Sequence, residues 1–289
     1  MGRLFGTDGI RGVVNAGLDA RLAFQVGMAA AYVMAEAKGG GQPRFTIGKD
    51  TRISSDLLEG ALVAGLCSAG ADVLHLGVIP TPAVAWITVD AKADAGIVIS
   101  ASHNPFEHNG IKIFDHRGFK LSDALEGKIE EIVLSRTAVP LKTHGEIGRV
   151  IYADEKEAQD YIDYLVSTVD TDLSGLHILV DCANGAASAT AGRLFDRFPK
   201  LMTDIINASR KRPGRYRDEQ YGPAGLLPGK RDRSPLHRRR GPQRAGEDGG
   251  VRLYAGRRAV RPYHFPQVCH HRRRPADGAA VPVSAPQIG

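Results

Sequence analysis

Short apolar segments alternate with helical segments along residues 1–150, and this alternation constrains the fold more than any other feature of the sequence. The predicted strands are 44–49, 71–77, 95–101 and 111–115, the last with the alternation of an edge strand. The predicted helices are 19–37, 55–69, 81–91 and 122–136. Because parallel strands are joined by long crossovers, usually helices, this order predicts an α/β fold in which helices sandwich a mixed, mostly parallel sheet.

Polar residues stand at the expected starts of two of these helices. Asp19 is placed to cap the first helix, and Ser54 or Ser55 is expected to open the second. A carboxylate or hydroxyl at such a position accepts a hydrogen bond from the free N–H groups of the first turn.

A smaller second unit is predicted for residues 151–209. It begins with a helix at 155–169, continues as strand, Gly-containing turn and helix within 176–198, and ends with a strand at 201–208. These segments make one β-α-β unit without further strands to complete a sheet. We therefore expect a partial second α/β domain.

The composition changes abruptly after residue 209. Residues 210–289 hold 17 Arg and 2 Lys against 6 acidic residues, a formal charge of +13, whereas residues 1–209 carry −7. The same 80 residues include 10 Pro and 11 Gly. Such a composition buries too little apolar surface to offset chain entropy, so we expect a mostly disordered basic tail.

Three interpretations of this tail are open. A basic arm can bind nucleic acid through its charge, but the aromatic, zinc-spacing and helix-turn-helix patterns that would specify such binding are missing. Cys269, His270 and His271 lack the further spaced ligands of a metal site. A frameshift or truncation in a GC-rich gene would also produce Arg, Pro and Gly, and the abruptness of the change favours this interpretation.

Two protein classes are excluded. No run approaches the about 18 apolar residues of a membrane-spanning helix, and the start MGRLFGTDGIRG has no apolar core of a signal peptide. The three cysteines, Cys67, Cys182 and Cys269, form no CxxC pattern, which argues against a disulfide scaffold. We therefore expect a cytoplasmic protein without a membrane partner.

A polar segment with the sequence S-A-S-H-N-P, residues 100–105, follows the apolar core of the strand at 95–101. In open α/β sheets, ligands bind at the carboxyl ends of the strands. Ser102 is therefore a candidate nucleophile or phosphate acceptor. The alternative is a polar loop whose Ser and Asn oxygens cap its own backbone.

Five motifs in order resemble the α-D-phosphohexomutase superfamily. The segment S-A-S-H-N-P, with N-G-I-K at 109–112, is similar to the active-site serine loop of that family. The others are F-G-T-D-G-I-R-G at 5–12, G-K-D-T-R at 48–52, G-V-I-P-T-P at 77–82 and V-D-C-A-N-G-A at 180–186. The resemblance covers about residues 3–208, and it implies the first domain of that family over residues 1–150.

The resemblance implies that Ser102 carries a phosphoryl group, donates it to a hexose phosphate and takes the other phosphate back. The fuller segments LFGTDGIRG and SASHNPFEHNGIKIF are most similar to the branch that acts on amino-sugar phosphates. The implied reaction converts glucosamine 6-phosphate to glucosamine 1-phosphate. The implied cofactor is Mg²⁺, with the phosphate on Ser102 as one ligand.

The resemblance also implies the residues that assist. Lys112 or His103 would shuttle the proton, and Arg11 with Lys112 would neutralise charge on the phosphate. The implied substrate contacts are Thr7, Arg11, Asn104 and Lys112. The structural alternatives are a solvated Arg11 and a Lys112 that extends from an edge strand to water.

Other residues of the motifs receive weaker or structural roles. Lys49, Asp50 and Arg52 could equally form a surface ion pair, and Arg52 is the weakest functional candidate. Asn109 is expected to fix the loop, and His108 is given no role. Gly9 and Gly12 are expected to serve turn geometry only.

The sequence departs from the family in three places. The Asp-Gly-Asp-x-Asp-Arg metal loop, the G-E-x-S-G sugar-reading loop and the Arg/Ser/Gly/Thr phosphate-binding loop are missing from the 289 residues. We therefore expect poor mutase activity from this chain. Phosphomannomutase or phosphoglucomutase activity, or a non-catalytic fragment with a nucleic-acid-binding tail, are the alternatives, and the oligomeric state is left open.

Overall fold

The computed structural model describes residues 4–208, 252–255 and 258–259. The strands of its first sheet are β1 Ile10–Val13, β2 Arg44–Lys49, β3 Asp72–Val78, β4 Ala95–Ile99, β5 His108–Asp115 and β6 Val150–Tyr152. Their order across the sheet is β1-β5-β4-β2-β3-β6. Strands β4, β2, β3 and β6 run parallel, and β5 runs antiparallel to both β4 and β1. The predicted mixed, mostly parallel sheet is confirmed.

The helices cover both faces of this sheet. They are α1 Ala20–Ala37, α2 Ile53–Ser68, α3 Thr81–Asp90, α4 Asp123–Ser135 and α5 Glu155–Ser167. Buried residues of α1, α2 and α4 pack in one apolar cluster with Phe45 and Ile47 of β2. Buried residues of α3 and α5 pack in a second cluster with Val98 of β4. The predicted sandwich is therefore present.

The prediction that 111–115 is an edge strand is wrong. Strand β5 starts earlier, at His108, and lies between β4 and β1. The edge is β1, in which Ile10 pairs with Ile111 and Arg11 pairs with Gly110. The four residues of β1 include a glycine and show too little alternation to predict a strand. The sequence therefore places the edge of the sheet one strand too far inward.

One of the two predicted helix caps is found. Asp19 caps α1 and accepts a hydrogen bond from the N–H of Leu22 at 2.7 Å. Helix α2 instead follows Arg52, which makes no side-chain cap. Ser54 and Ser55 lie inside its first turn, where the hydroxyl of Ser55 donates to Asp50 and the hydroxyl of Ser54 accepts from the side-chain amide of Asn109. The predicted cap is therefore wrong because those hydroxyl groups have other partners.

Helices α1 and α2 approach each other closely at two glycines. A methyl group added at Gly27 would lie 2.5 Å from the carbonyl oxygen of Leu62, and one added at Gly65 would collide with the carbonyl oxygen of Phe24. Gly60, also in α2, has no atom within 4 Å of such a methyl group. The contact depends on the absence of side chains at Gly27 and Gly65.

The second unit contains the predicted strand, turn, helix and strand. These are β7 His177–Asp181, a 3-10 turn at Ala186–Ala189, α6 Ala191–Phe195 and β8 Met202–Ile206. Strands β7 and β8 pair in parallel. Val180 and Cys182 form a small buried cluster with Ala191 of α6.

Two further strands pair with this unit, β9 Arg252–Ala255 and β10 Arg258–Ala259. Strand β9 lies antiparallel to β7, and β10 lies antiparallel to β9. Both fall in the basic stretch for which no strand was expected. The edge of β7 away from β8 presents backbone N–H and C=O groups, and an extended segment can form hydrogen bonds with them. The other expectations for 210–289 concern residues outside the described ranges.

The contacts of the first unit continue past residue 150. Strand β6 pairs with β3, and Tyr161 and Tyr164 of α5 lie 5.9 and 5.3 Å from the ring of Trp86 in α3. The division of the chain at 150 and 151 stays a prediction, and these contacts connect its two sides. Among the described residues, no helix combines the length and apolarity that crossing a membrane requires.

We predict opposite effects of two glycine substitutions in α2. Gly65→Ala should lower the free energy of unfolding by about 2 kcal/mol, because the added methyl group forces α1 and α2 apart. Gly60→Ala should raise it by roughly 0.5–1 kcal/mol, because alanine favours the helix and meets no neighbour. Urea unfolding of the two purified variants measures both values. Equal effects would contradict the close packing of the two helices.

Candidate active site

The segment between β4 and β5, residues 100–107, is here called the serine loop. It leaves the carboxyl end of β4 next to that of β2, since Lys49 pairs with Ile99. The N–H of Ser100 donates to the carbonyl of Gly110 at 2.9 Å, which closes the base of the loop. The serine loop therefore lies at the edge of the sheet where α/β proteins bind ligands.

Ser102 has a left-handed backbone conformation, with φ of +56°. Its N–H donates to the hydroxyl of Ser100 at 3.1 Å, and its Oγ lies 3.4 Å from Nδ1 of His103. A non-glycine residue adopts this conformation only where its surroundings enforce it, and such residues cluster at functional sites. Ser102 is half-buried, and His103 is exposed beside it.

Arg52 fixes the serine loop from below. Its guanidinium group donates to four backbone carbonyls, those of Ser102, Asn104, Pro105 and His108, at 2.6–3.0 Å. Its Nε donates to Oδ2 of Asp50 at 2.9 Å, and its side chain is fully buried. One rigid, planar group thus holds the carbonyls on both sides of the turn and sets the course of the loop.

Asp50 completes this buried network. Its carboxylate accepts hydrogen bonds from the backbone N–H of Arg52, from the hydroxyl of Ser55 and from the hydroxyl of Ser100. The hydroxyl of Ser100 also accepts a hydrogen bond from the N–H of Ser102, so it links the carboxylate of Asp50 to Ser102. A buried ion pair is tolerated when hydrogen bonds satisfy its remaining atoms, as they do here.

The surface ion-pair interpretation of the G-K-D-T-R motif is wrong. Arg52, the weakest candidate in the sequence, is 3% exposed and Asp50 is 7% exposed. Lys49 points to the opposite side, where it pairs with Asp56 and Glu59 of α2. Burial disfavours its charge, but those two hydrogen bonds outweigh burial and raise the pKa of Lys49. The sequence held a signal for this burial, because polar residues directly after a buried strand have little access to water.

Asn109 and Thr51 anchor the loop to its surroundings. The buried side-chain amide of Asn109 donates to the hydroxyl groups of Ser54 and Ser55 and accepts from the N–H of Gly110. The hydroxyl of Thr51 donates to the carbonyl of Asn184 in the second unit at 2.7 Å. The expected loop-fixing role of Asn109 is thus found, whereas nothing in the sequence indicated the contact of Thr51.

Arg11 and Lys112 meet at a third residue that the sequence did not single out. The Arg11 guanidinium contacts Oδ2 of Asp8, and Lys112 Nζ lies 2.7 Å from the same oxygen. Strands β1 and β5 bring them together, because Arg11 pairs with Gly110, two residues before Lys112. The two cations proposed for phosphate binding therefore share one carboxylate.

The other predicted site residues take different positions. Thr7 is exposed in the turn before Asp8. Asn104 is half-buried and contributes its backbone carbonyl to Arg52. The backbone carbonyl of His108 also accepts a hydrogen bond from the same guanidinium, so His108 has a structural role although none was predicted. The substrate contacts of Thr7 and Asn104 stay predictions.

The described residues do not form a metal cage. Within residues 4–208 and the two short strands beyond them, no three His, Cys, Asp or Glu side chains lie close enough together to hold a metal ion. Asp50 already accepts four hydrogen bonds, and Asp8 already pairs with two cations. Ser102 is left as one predicted ligand, which is too few for Mg²⁺.

Comparison with known proteins gives a consistent relationship. Residues 2–139 match the family described as phosphoglucomutase/phosphomannomutase, alpha/beta/alpha domain I. The chain is 55% identical over 199 residues to the phosphoglucosamine mutase of Caldanaerobacter subterraneus, covering 68% of this chain and 43% of that one. It is 53% identical over 210 residues to the phosphoglucosamine mutase of Syntrophomonas wolfei, covering 72% and 46%. The chain therefore spans less than half the length of these relatives.

A solved structure shows the same relationship. A phosphoglucomutase/phosphomannomutase family protein from Burkholderia thailandensis superposes with a TM-score of 0.59 at 30% identity. The superposition covers 71% of this chain and 44% of the other. The arrangement of the sheet and its helices is thus similar to that of a solved protein of this kind.

We predict that the buried ion pair of Arg52 with Asp50 contributes far more to the free energy of unfolding than the exposed ion pair of Arg117 with Asp115. Arg117 also donates its N–H and Nε to an aspartate two residues earlier, Asp115, but its side chain is 66% exposed. Arg52→Lys should lower the free energy of unfolding by about 2–4 kcal/mol, because buried carbonyls lose their donors. Arg117→Lys should change it by less than about 0.5 kcal/mol.

Urea unfolding of both variants, side by side with the unaltered chain, measures the difference. The two changes replace the same residue type two residues after an aspartate, so the comparison measures the burial of Arg52 together with its four bonds to backbone carbonyls. A small effect at both positions would mean that the serine loop keeps its course without Arg52.

Proposed function

We propose that this chain, which belongs to the phosphohexomutase superfamily through its residues 2–139, carries the phosphoryl-accepting part of a phosphoglucosamine mutase site with Ser102 as the carrier. The observation that supports it most is the buried Arg52 and Asp50 network, which holds Ser102 at φ +56° on the ligand-binding edge of the sheet. The identity of 53–55% to two phosphoglucosamine mutases supports the same assignment.

The proposed reaction has two phosphoryl transfers. In the first, the bond between phosphorus and Ser102 Oγ breaks, a bond to a free hydroxyl of glucosamine 6-phosphate forms, and that hydroxyl loses its proton. In the second, the 6-phosphoryl group of the bisphosphate returns to Ser102 Oγ, and the new sugar hydroxyl takes up a proton. Phosphate is neither gained nor lost, so the net change is the isomer glucosamine 1-phosphate.

The proposal assigns the positive charge and the proton acceptor to three further residues. Phosphoryl transfer depends mainly on positioning and on neutralising the negative charge of the transferred group. Arg11 and Lys112 carry the positive charge, and His103 Nδ1, 3.4 Å from Ser102 Oγ, is placed to hold the proton. Lys112 is the second candidate for that proton. These roles, and substrate contacts from Thr7 and Asn104, are part of the proposal.

Mg²⁺ enters the proposal only as a predicted partner of the phosphate on Ser102. The described residues do not fit a complete Mg²⁺ site, so no step above uses the metal. The sequence also lacks the family's metal loop. A cytoplasmic location is proposed too, and the free thiols of Cys67 and Cys182 support it.

A second candidate is phosphomannomutase or phosphoglucomutase activity. The family description that matches residues 2–139 and the superposed Burkholderia thailandensis protein both carry those activities in their names. The roles proposed above concern the phosphoryl group and name no contact to the substituents of the sugar, so they fit either candidate. Relative rates of Ser102 phosphorylation by glucosamine, glucose and mannose bisphosphates would separate the candidates.

We predict that a hexosamine bisphosphate transfers one phosphoryl group to Ser102. The full chain is incubated with glucosamine 1,6-bisphosphate and Mg²⁺, and peptide mass spectrometry locates the modification. Ser102→Ala should abolish it while leaving the free energy of unfolding within about 0.5 kcal/mol of the unaltered chain. Ser122→Ala, at the cap of α4, is the control serine and should leave the labelling unchanged.

Labelling at a residue other than Ser102 would contradict this assignment. The same reagent should label the full-length Caldanaerobacter subterraneus relative, which serves as the positive control. A labelled relative beside an unlabelled chain would show that residues 1–208 do not suffice for phosphoryl transfer.

We predict slow overall turnover by this chain. The family's phosphate-binding loop, which this sequence lacks, would bind the phosphate at the far end of the substrate. The binding energy of that contact would orient the reacting end. In a coupled assay with glucosamine 6-phosphate and Mg²⁺, kcat/KM should be at least roughly a hundredfold below that of the full-length relative. Comparable values would refute the expectation.

A further inference from the structure

Asp8 bridges the two cations to which the proposed function assigns the charge of the phosphoryl group. One oxygen, Oδ2, contacts both the Arg11 guanidinium and Lys112 Nζ. Lys112 is 15% exposed and Asp8 is 49% exposed, so the cations lie inside and the carboxylate lies toward water. An anion that approaches from solvent meets Asp8 first.

The cation pair also lies next to the serine loop. A methyl group added at Gly110 would meet the carbonyl oxygen of Ser100 at 2.8 Å and Cγ of Arg11 at 3.1 Å. The Arg11 side chain and the start of the serine loop therefore flank the same glycine. Ser102 follows Ser100 by two residues in that loop.

The segment that holds Asp8 is a tight turn that leads into β1. The N–H of Gly6 donates to the carbonyl of Gly9 at 2.9 Å, and Gly9 has φ of +82°. A side chain at Gly9 would collide with the carbonyl of Ile111. The turn is thus fixed where it meets β5, and Asp8 projects from its exposed side.

We infer that Asp8 is a built-in substitute for the phosphoryl group, which neutralises Arg11 and Lys112 while Ser102 is unphosphorylated and releases them when phosphate arrives. This inference rests on the proposed function. A phosphoserine carries a charge of about −1.5 to −2 and three acceptor oxygens, against one charge on a carboxylate. Arg11 and Lys112 therefore prefer the phosphate, and Asp8 is repelled by it.

Asp8 would compete with phosphate for the two cations, so the direction in which its removal changes phosphate affinity is predicted. If Asp8 only oriented the two cations, its removal would weaken phosphate binding. If it competes, its removal strengthens binding. Asp8→Asn removes the charge and keeps the shape, which makes it the decisive variant.

The test measures the Kd of inorganic phosphate for the full chain by isothermal titration calorimetry. Asp8→Asn should bind about three- to tenfold more tightly, the range expected for removing two half-exposed ion pairs. Asp8→Ser should change Kd in the same direction, and Lys112→Met added to Asp8→Asn should abolish the gain. Asp123→Asn, which breaks the exposed pair of Lys120 elsewhere, should leave Kd unchanged.

Unchanged or weaker phosphate binding in Asp8→Asn would overturn the inference, and so would a gain that survives Lys112→Met. Ser102 labelling by the bisphosphate is followed in parallel. Labelled Ser102 without a gain in Asp8→Asn rejects the inference and keeps the proposed function. A gain in Asp8→Asn with Ser102 unlabelled supports Asp8 as a phosphate competitor and rejects phosphoryl transfer to Ser102 in this chain.

Discussion

The site depends on one buried ion pair, that of Asp50 with Arg52. Two charges withdrawn from water cost several kcal/mol each unless hydrogen bonds replace their hydration. Here the replacements are the carbonyls of the serine loop on one side and the hydroxyl groups of Ser55 and Ser100 on the other. The loop therefore cannot relax without uncovering a charge, and this penalty maintains the left-handed conformation of Ser102.

The rest of the site is held in a different way. Arg11, Lys112 and Asp8 are partly exposed, so their mutual attraction is weak and water can replace it. The proposed exchange of phosphate would need such an exchangeable part beside a fixed one. The buried pair keeps Ser102 in place, while the exposed pairs can rearrange when the charge nearby changes.

The sequence predicts the elements with strong periodicity and misses those that tertiary contacts create. The strand at 44–49 agrees with β2 residue for residue, because a short, largely apolar run between two basic residues admits few alternatives. Strand β1 and the start of α2 depend on partners more than 50 residues away, such as Gly110 for Arg11 and Asn109 for Ser54. The sequence motifs identified Ser102, Arg11 and Lys112 as candidates. Only the structure showed that Asp8 contacts both Arg11 and Lys112 and that Arg52 is buried.

The five-residue motif at 48–52 shows why short motifs resist interpretation from sequence alone. Successive side chains of an extended segment point in different directions, and each here meets a different part of the molecule. Lys49 pairs with α2, Thr51 with the second unit and Arg52 with the serine loop. Movement of the second unit would therefore act on Thr51, which lies between the two residues that fix Ser102. The motif therefore contacts both the second unit and the serine loop, and it couples the position of Ser102 to that of the second unit.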